Sequence, residues 1–339
     1  MKFKTVLASA FICMLQAAGG SVIAQTSDLG PDQVGRAKFL EATKGKKVVM
    51  VPISTGTDLV ESWLVLLRRQ AEQLGYALEV RDPNWSTDTG IKAITGAMAE
   101  KPDLLIVQNP DIQSYAQLLK RAKAAGVKVL QINMPSLTPT EAYVGVDWVR
   151  MGEEKGRALV ERCGKSAGPS NKIAFVQGVV TGAANIYVKR GLYSVLQSHP
   201  EIKIVSDQAG NYDREKIRGI METVLQQHPD LCGAVGVWDS GDVGIGAAVE
   251  AAGKTGKVFV VTSGAGSVSS ACENIKKGLF STVISYNSPV QAILINQKIA
   301  ELLQSPANAG DSGVVYYSPL TKISAETMTP VSCWSIDQL

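Results

Sequence analysis

The feature that most constrains this chain is an alternation, sustained from Lys46 onward, of short apolar runs with longer segments of helical periodicity. KKVVMVPIS (46–54) is such a run, and residues 58–74 then place Leu59, Trp63, Leu66, Leu67 and Leu74 at helical spacing. ALEVRD (77–82), DLLIVQN (103–109), VKVLQIN (127–133) and AYVGVD (142–147) read as strands. Helices are expected over 88–100, over 112–125, and after the last of these strands as far as about Cys163. The pattern then restarts. KIAFVQG (172–178), IKIVSD (202–207), CGAVGVWD (232–239), KVFVVTS (257–263) and FSTVISY (280–286) alternate with helices over 183–198, 213–228, 242–252, 268–277 and 289–303. Short tail strands are expected near 313–317 and 331–334. Continuous apolar strands separated by helices make parallel sheets covered on both faces. The expected fold is α/β, with two similar doubly wound parallel-sheet lobes.

Residues 1–24, MKFKTVLASAFICMLQAAGGSVIA, have the layout of a secretory signal peptide: Lys2 and Lys4, an apolar run, then small residues with cleavage expected after Ala24. Residues 25–45 are polar and read as a flexible leader. No later stretch holds the roughly 18 uninterrupted apolar residues of a membrane span, so no transmembrane segment is expected in the mature chain. Loss of Lys2 and Lys4 lowers the formal charge from +3 to +1. So even a balance excludes a broad field for nucleic acid. Four cysteines remain in an oxidising compartment, enough for two disulfides in any of three connectivities, with buried free thiols as the alternative. The pairing favoured is Cys163 with Cys333 and Cys232 with Cys272. No CxxC occurs, so no zinc site or other metal is expected.

Catalytic and nucleotide motifs are missing. There is no GxSxG and no GxxxxGK[ST], and GDVGIG (241–246) falls within a presumed helix where Gly244 permits close packing. His199 and His228 each precede a proline at a helix end, a structural position. Neither an enzyme nor a cofactor is expected.

Taken in order, the segments VVMVPIS…AEQLGYALEVRD, PDLLIVQNPD, AAGVKVLQIN, AYVGVDWVRMGEEKGRAL, KIAFVQGVVTGAANIYVKRGL, NYDREKIRGIMETVLQQHPDLCGAVGVWDS and KKGLFSTVISY resemble the sugar-binding branch of the type I periplasmic solute-binding proteins of ABC importers. The resemblance covers roughly residues 46–305. It implies a three-strand hinge with crossovers near Val146-Asp147, Ser285-Tyr286 and residues 307–312. Lobe 1 would be 46–146 plus 286–308, and lobe 2 would be 147–285 plus 309–339. It also implies a monomeric periplasmic receptor that clamps a small sugar or polyol and hands it to an inner-membrane permease. A sensory module serving a chemoreceptor or sensor kinase is the alternative, and a secreted carbohydrate-acting enzyme a more distant one.

Ligands of open parallel sheets bind beyond the carboxyl ends of the strands. The candidates there are Thr57, Asp58, Trp85, Asn109, Asn133, Trp148, Tyr212, Trp238, Asp239 and Tyr286. Asn and Asp supply directed hydrogen bonds to hydroxyls, and Trp and Tyr a flat face for C–H surface. Several have a structural reading as well. Thr57, Asp58 and Asp239 could cap helices, Asn109 could form an Asx turn before Pro110, and Trp238 could pack between lobes. Asp213 is read as an N-cap and Trp63 as core. Two departures from the family pattern matter. Asn133-Met134 stands where these proteins commonly carry Asp-Arg, and TSGAG (262–266) where they often carry an Asp-containing turn. Both departures argue against ordinary ribose or glucose and leave a pentose, a sugar alcohol or a less hydroxylated solute as the alternatives.

Overall fold

The alternating runs form two six-stranded sheets in a computed structural model that describes residues 31–165, 170–305 and 313–339. The expected signal peptide, 1–24, lies outside the described residues. The first sheet takes β1 (Lys47–Val51), β2 (Ala77–Val80), β3 (Leu104–Val107), β4 (Lys128–Asn133), β5 (Ala142–Gly145) and β11 (Val314–Tyr317), in the order β11-β5-β4-β3-β1-β2. The second takes β6 (Lys172–Gln177), β7 (Lys203–Ala209), β8 (Gly233–Val235), β9 (Phe259–Gly264), β10 (Thr282–Ser285) and β12 (Thr321–Ser324), in the order β12-β10-β9-β8-β6-β7. All pairings are parallel except β10 with β12.

The side-chain period of two explains why the strands are apolar throughout. Val48, Met50, Leu104 and Ile106 enter one core, while Val49, Val51, Leu105 and Val107 enter another on the opposite face. Helices cover both sides. In the first lobe these are α2 (Asp58–Leu74), α3 (Thr87–Ala99), α4 (Ala116–Ala124) and α10 (Ser288–Gln304). In the second they are α5 (Trp148–Cys163), α6 (Ala183–Leu196), α7 (Arg214–Gln227), α8 (Asp239–Ala251) and the short α9 (Glu273–Lys276), which a π-helical turn, Val268–Cys272, precedes. Trp63 is fully buried, and Asp213 accepts from the Lys216 amide as an N-cap. Helices α5 and α6 cross closely because of two glycines. A Cβ on Gly152 would meet the Val188 carbonyl oxygen at 2.1 Å, and one on Gly191 the Val149 carbonyl oxygen at 1.9 Å.

Four expectations need correction. The leader expected over 25–45 is helical from Pro31 to Thr43 (α1), and the Thr43 hydroxyl donates to the Leu74 carbonyl at 3.0 Å. The tail is not confined to the second lobe, because β11 adds to the first sheet beside β5. The third passage between sheets therefore falls after Tyr317 and before Thr321, whereas 307–312 lies outside the described residues. The second tail strand is Thr321–Ser324, with residues 331–334 contributing only a bridge from Trp334 to Ser267. The disulfides are Cys163–Cys232 and Cys272–Cys333, with Cα separations of 5.8 and 6.1 Å. Cys163 ends α5 directly beside the residue that precedes β8, and the Trp334 bridge brings Cys333 to the π-helical turn. Spatial neighbourhood, invisible in spacing, chose the partners.

Candidate functional site

The carboxyl ends of both sheets face one cavity of about 530 Å³, counting its mouth. Seven of the ten candidates line it: Thr57, Trp85, Asn133, Trp148, Tyr212, Trp238 and Tyr286. The first lobe supplies the loop after β1, where Thr57 caps α2 and Ile53 and Ser54 turn inward. It also supplies Trp85, held by a bond from its amide to the Ile53 carbonyl at 3.0 Å and still 52% exposed. Asn133 ends β4. Its carbonyl accepts from the Tyr143 hydroxyl at 2.7 Å and the Trp148 indole at 2.8 Å, while its buried side-chain Oδ1 has no partner.

The second lobe contributes Tyr212 and Trp238, whose rings meet edge to face at 5.7 Å. At the hinge, Trp148 and Tyr286 meet in the same way at 5.7 Å. Trp85 reaches across from the first lobe to Trp238, with ring centroids 6.0 Å apart. Two further contacts close the seam. The Asp58 carboxylate accepts from the Ser267 and Ser269 hydroxyls, each at 2.6 Å, and the Ile112 amide donates to the Thr181 carbonyl at 3.2 Å. The lobes are thus closed on each other.

Backbone conformation marks the same place. Of the seven non-glycine residues with positive φ among the described residues, Trp85, Asn133 and Tyr212 line the cavity, and Asn84, Asn211 and Asn287 adjoin lining residues. Sparsely populated backbone of this kind persists where the surroundings over-determine it, often at binding sites.

Three candidates lie elsewhere. Asp58 is at the seam just described. Asn109 is fully buried behind the wall, its Nδ2 donating to Gln131 Oε1 at 2.9 Å and the Met134 carbonyl at 2.8 Å, so it braces the loop that carries Asn133. Asp239 is 1% exposed under the second-lobe wall, accepting from the Ser270 hydroxyl and the Ser240 amide, both at 2.8 Å. Burial pushes its pKa up to about 6. Beside it, Lys155 donates to the Gly236 carbonyl and Ser263 Oγ, each at 2.7 Å. Burial pulls the Lys155 ammonium down, against the attraction of Asp242 and Asp239, and pushes the Asp242 carboxyl up.

Among the described residues, no Asp, Glu, Lys, Arg or His lines the cavity. Burial raises the Tyr212 and Tyr286 hydroxyls well above their ordinary range, so both are neutral donors. Sequence reasoning missed Gln108, Met134, Leu59 and Val237 as lining residues, although Met134 and Val237 adjoin chosen residues. It also missed Lys155, whose signal was a lysine four residues after Met151 on the buried stripe of α5. Among the described residues no cluster of three or more His, Cys, Asp or Glu could hold a metal ion, and no helix is long and apolar enough to cross a membrane.

Known proteins share this architecture. The D-ribose/D-allose-binding protein of Pseudomonas aeruginosa is 26% identical over 243 residues, covering 70% of this chain and 75% of that protein. Three other curated relatives are spanned over 46% to 64% of their length. A solved ABC transporter solute-binding protein from Mycobacterium smegmatis with bound glycerol superposes with a TM-score of 0.75 at 21% identity, covering 86% of this chain and 98% of that one. The fructose-binding periplasmic domain of a hybrid two-component system gives 0.74 at 15% identity, covering 83% and 92%. At these identities the two structures speak to fold alone. The family model described as periplasmic binding protein domain matches residues 48–307. Spanning both sheets and the cavity between them, that match means that the chain belongs to the periplasmic binding protein domain family, in its two-lobed type I form.

Proposed function

We propose that this protein is the periplasmic solute-binding component of an ABC importer, closing its lobes around a small neutral sugar or polyol and delivering it to a membrane permease. The observation that carries the reading is the aromatic cavity at the carboxyl ends of both sheets, walled by residues from each lobe and from the hinge. Trp85 and Asn133 on one side and Tyr212 and Trp238 on the other meet the same guest only when the lobes are together. Contacts made only in the closed form let a solute shift the hinge equilibrium, and the paired lobe surfaces then signal occupancy. The protein acts as a monomer and turns nothing over. Membership of the family and the sugar-binding names of its relatives support this reading.

A second reading, a sensory receptor that presents the same closed form to a kinase or chemoreceptor, is favoured by one observation: the two-component periplasmic domain shares the fold. Co-purification from membranes with a permease, rather than with a kinase, separates the two. The primary test is a thermal-shift screen over pentoses, hexoses and polyols, in which a ligand at a hundred times its Kd adds about 2.7 kcal/mol of stability. Trp238→Ala and Asn133→Ala should each weaken the hit at least tenfold while the free protein stays folded. Unchanged binding in both variants would put the site elsewhere.

A further inference from the structure

A hydrogen-bonded chain crosses the seam from one lobe to the other. Asp58 Oδ2, at the start of α2, lies 2.6 Å from Ser267 Oγ, and Ser267 Oγ lies 2.8 Å from Ser270 Oγ. Ser270 Oγ in turn lies 2.8 Å from Asp239 Oδ2, at the start of α8. The two ends differ. Asp58 is exposed and belongs to the first lobe, whereas Ser267, Ser270 and Asp239 are buried in the second.

Counting protons shows what closure does to this chain. Its three links need three protons, and the two serine hydroxyls bring two. With both carboxylates ionised, Ser267 donates to Asp58 and Ser270 to Asp239, which leaves two hydroxyl oxygens 2.8 Å apart with no proton between them. Ser269 does not fill the gap, because its hydroxyl donates to the same Asp58 oxygen at 2.6 Å. A proton on Asp239 does. Its carboxyl O–H then donates to Ser270, Ser270 to Ser267, and Ser267 to Asp58. With the lobes apart Asp58 leaves the chain, two links remain for two protons, and the ionised Asp239 completes it. Closure also brings the Asp58 charge toward Asp239, a like charge that disfavours ionisation.

The other groups facing Asp239 do not cross the seam. Asp242 on α8 and Lys155 on α5 belong to the same lobe and accompany it in either state, and Tyr286 at the hinge is a neutral phenol. Glu61, Glu273 and Asp337 share the groove beside Asp58. Their repulsion also opposes closure, but it passes through no serine.

Resting on the clamp reading above only for the parting of the lobes, we propose that Asp58, Ser267, Ser270 and Asp239 form a proton-dependent latch: closing the lobes draws a proton from solvent onto Asp239, so acidification favours the closed receptor. The sign follows from linkage, since the state that binds the proton more tightly gains as pH falls. The test is carbon-13 titration of the Asp239 carboxyl in the unliganded protein, with X-ray scattering over the same pH range. Asp58→Ala shortens the chain, and Ser267→Ala leaves the Ser270 proton without an acceptor when Asp239 is neutral. Each should lower the Asp239 midpoint by about half a pH unit or more, the size of one modest hydrogen bond. The double variant should lower it by clearly less than their sum, because both cut one chain. The wild-type radius of gyration should contract as pH falls through that midpoint, and Ser267→Ala should lose the contraction. Additive lowering, a midpoint that neither variant moves, or a radius indifferent to pH each overturns the latch. If the radius also ignores every solute in the thermal-shift panel, the clamp reading falls with it.

Discussion

Asp239 offers a quantitative check on the buried electrostatics beneath the cavity. Its carboxyl is held at about 6 against an ordinary 3.8, chiefly because burial strips the charged form of water, and hydrogen bonds from Ser270 and Ser240 only partly offset this. That displacement corresponds to about 3 kcal/mol of differential stabilisation of the protonated form. An acid whose folded-state pKa lies above its unfolded value binds its proton more firmly when folded. Its contribution is therefore full below pH 3.8 and is lost as pH rises through 6. Between pH 4.5 and 7.5 the wild-type protein should lose about 2 kcal/mol relative to Asp239→Asn, which keeps an acceptor for the Ser240 amide and does not titrate. Urea unfolding of both proteins at several pH values gives this difference directly, with contributions from the remaining groups largely cancelling. The Asp239 carboxyl resonance should titrate with a midpoint near 6. Parallel stability profiles, or a wild type that gains on the variant as pH rises, would refute the argument.

Four other perturbations follow from the structure. Replacing both cysteines of either disulfide by serine should cost about 2–4 kcal/mol in denaturant unfolding, since the closed loops span 69 and 61 residues. Gly191→Ala, whose Cβ would press on the Val149 carbonyl oxygen, should destabilise by about 2 kcal/mol or more. Gly219→Ala, on the exposed face of α7 with nothing within 4 Å, should instead stabilise by about 1 kcal/mol; thermal unfolding of the two variants reads both signs. Asp58→Ala removes the bonds to Ser267 and Ser269, and should expand the unliganded protein in small-angle scattering while lowering ligand affinity severalfold.

Most of the fold was legible because it rests on local pattern. The helix over 58–74 matches α2 to the residue, and the apolar runs from Lys46 to Tyr286 each hold a strand. The exceptions depend on distant partners. Thr321–Ser324, TKIS, carries little apolar signal and becomes a strand only because β10 offers an edge for antiparallel pairing. The disulfide partners were fixed by which chain ends the sheet and the Trp334 bridge bring together. At the site, residue type identified the aromatic walls, since Trp85, Trp148, Tyr212, Trp238 and Tyr286 all face the cavity. It failed where one residue decides which side of a wall a group occupies. Asn109 ends an apolar run just as Asn133 does, yet only Asn133 takes a positive φ and lines the cavity, while Asn109 turns beneath the neighbouring loop.

The seam itself bears on how such a clamp can respond to a weak guest. Between the lobes the closed form makes a carboxylate–serine cluster, a backbone bond from Ile112 to Thr181, bonds from the Trp148 indole to the Asn133 carbonyl and from the Arg69 guanidinium to the Leu339 carbonyl, and a tilted indole pair. Each is worth on the order of 1 kcal/mol net. Closure also covers indoles and phenols that an open cleft would leave wet. The closed form is thus held by small contacts. A guest in the cavity adds ring contacts from both lobes that neither lobe makes alone. A hundredfold shift toward closure needs only about 2.7 kcal/mol of difference between the two states. Contacts that exist only with the lobes together therefore make occupied closure favourable, which is what a receptor that reports occupancy requires.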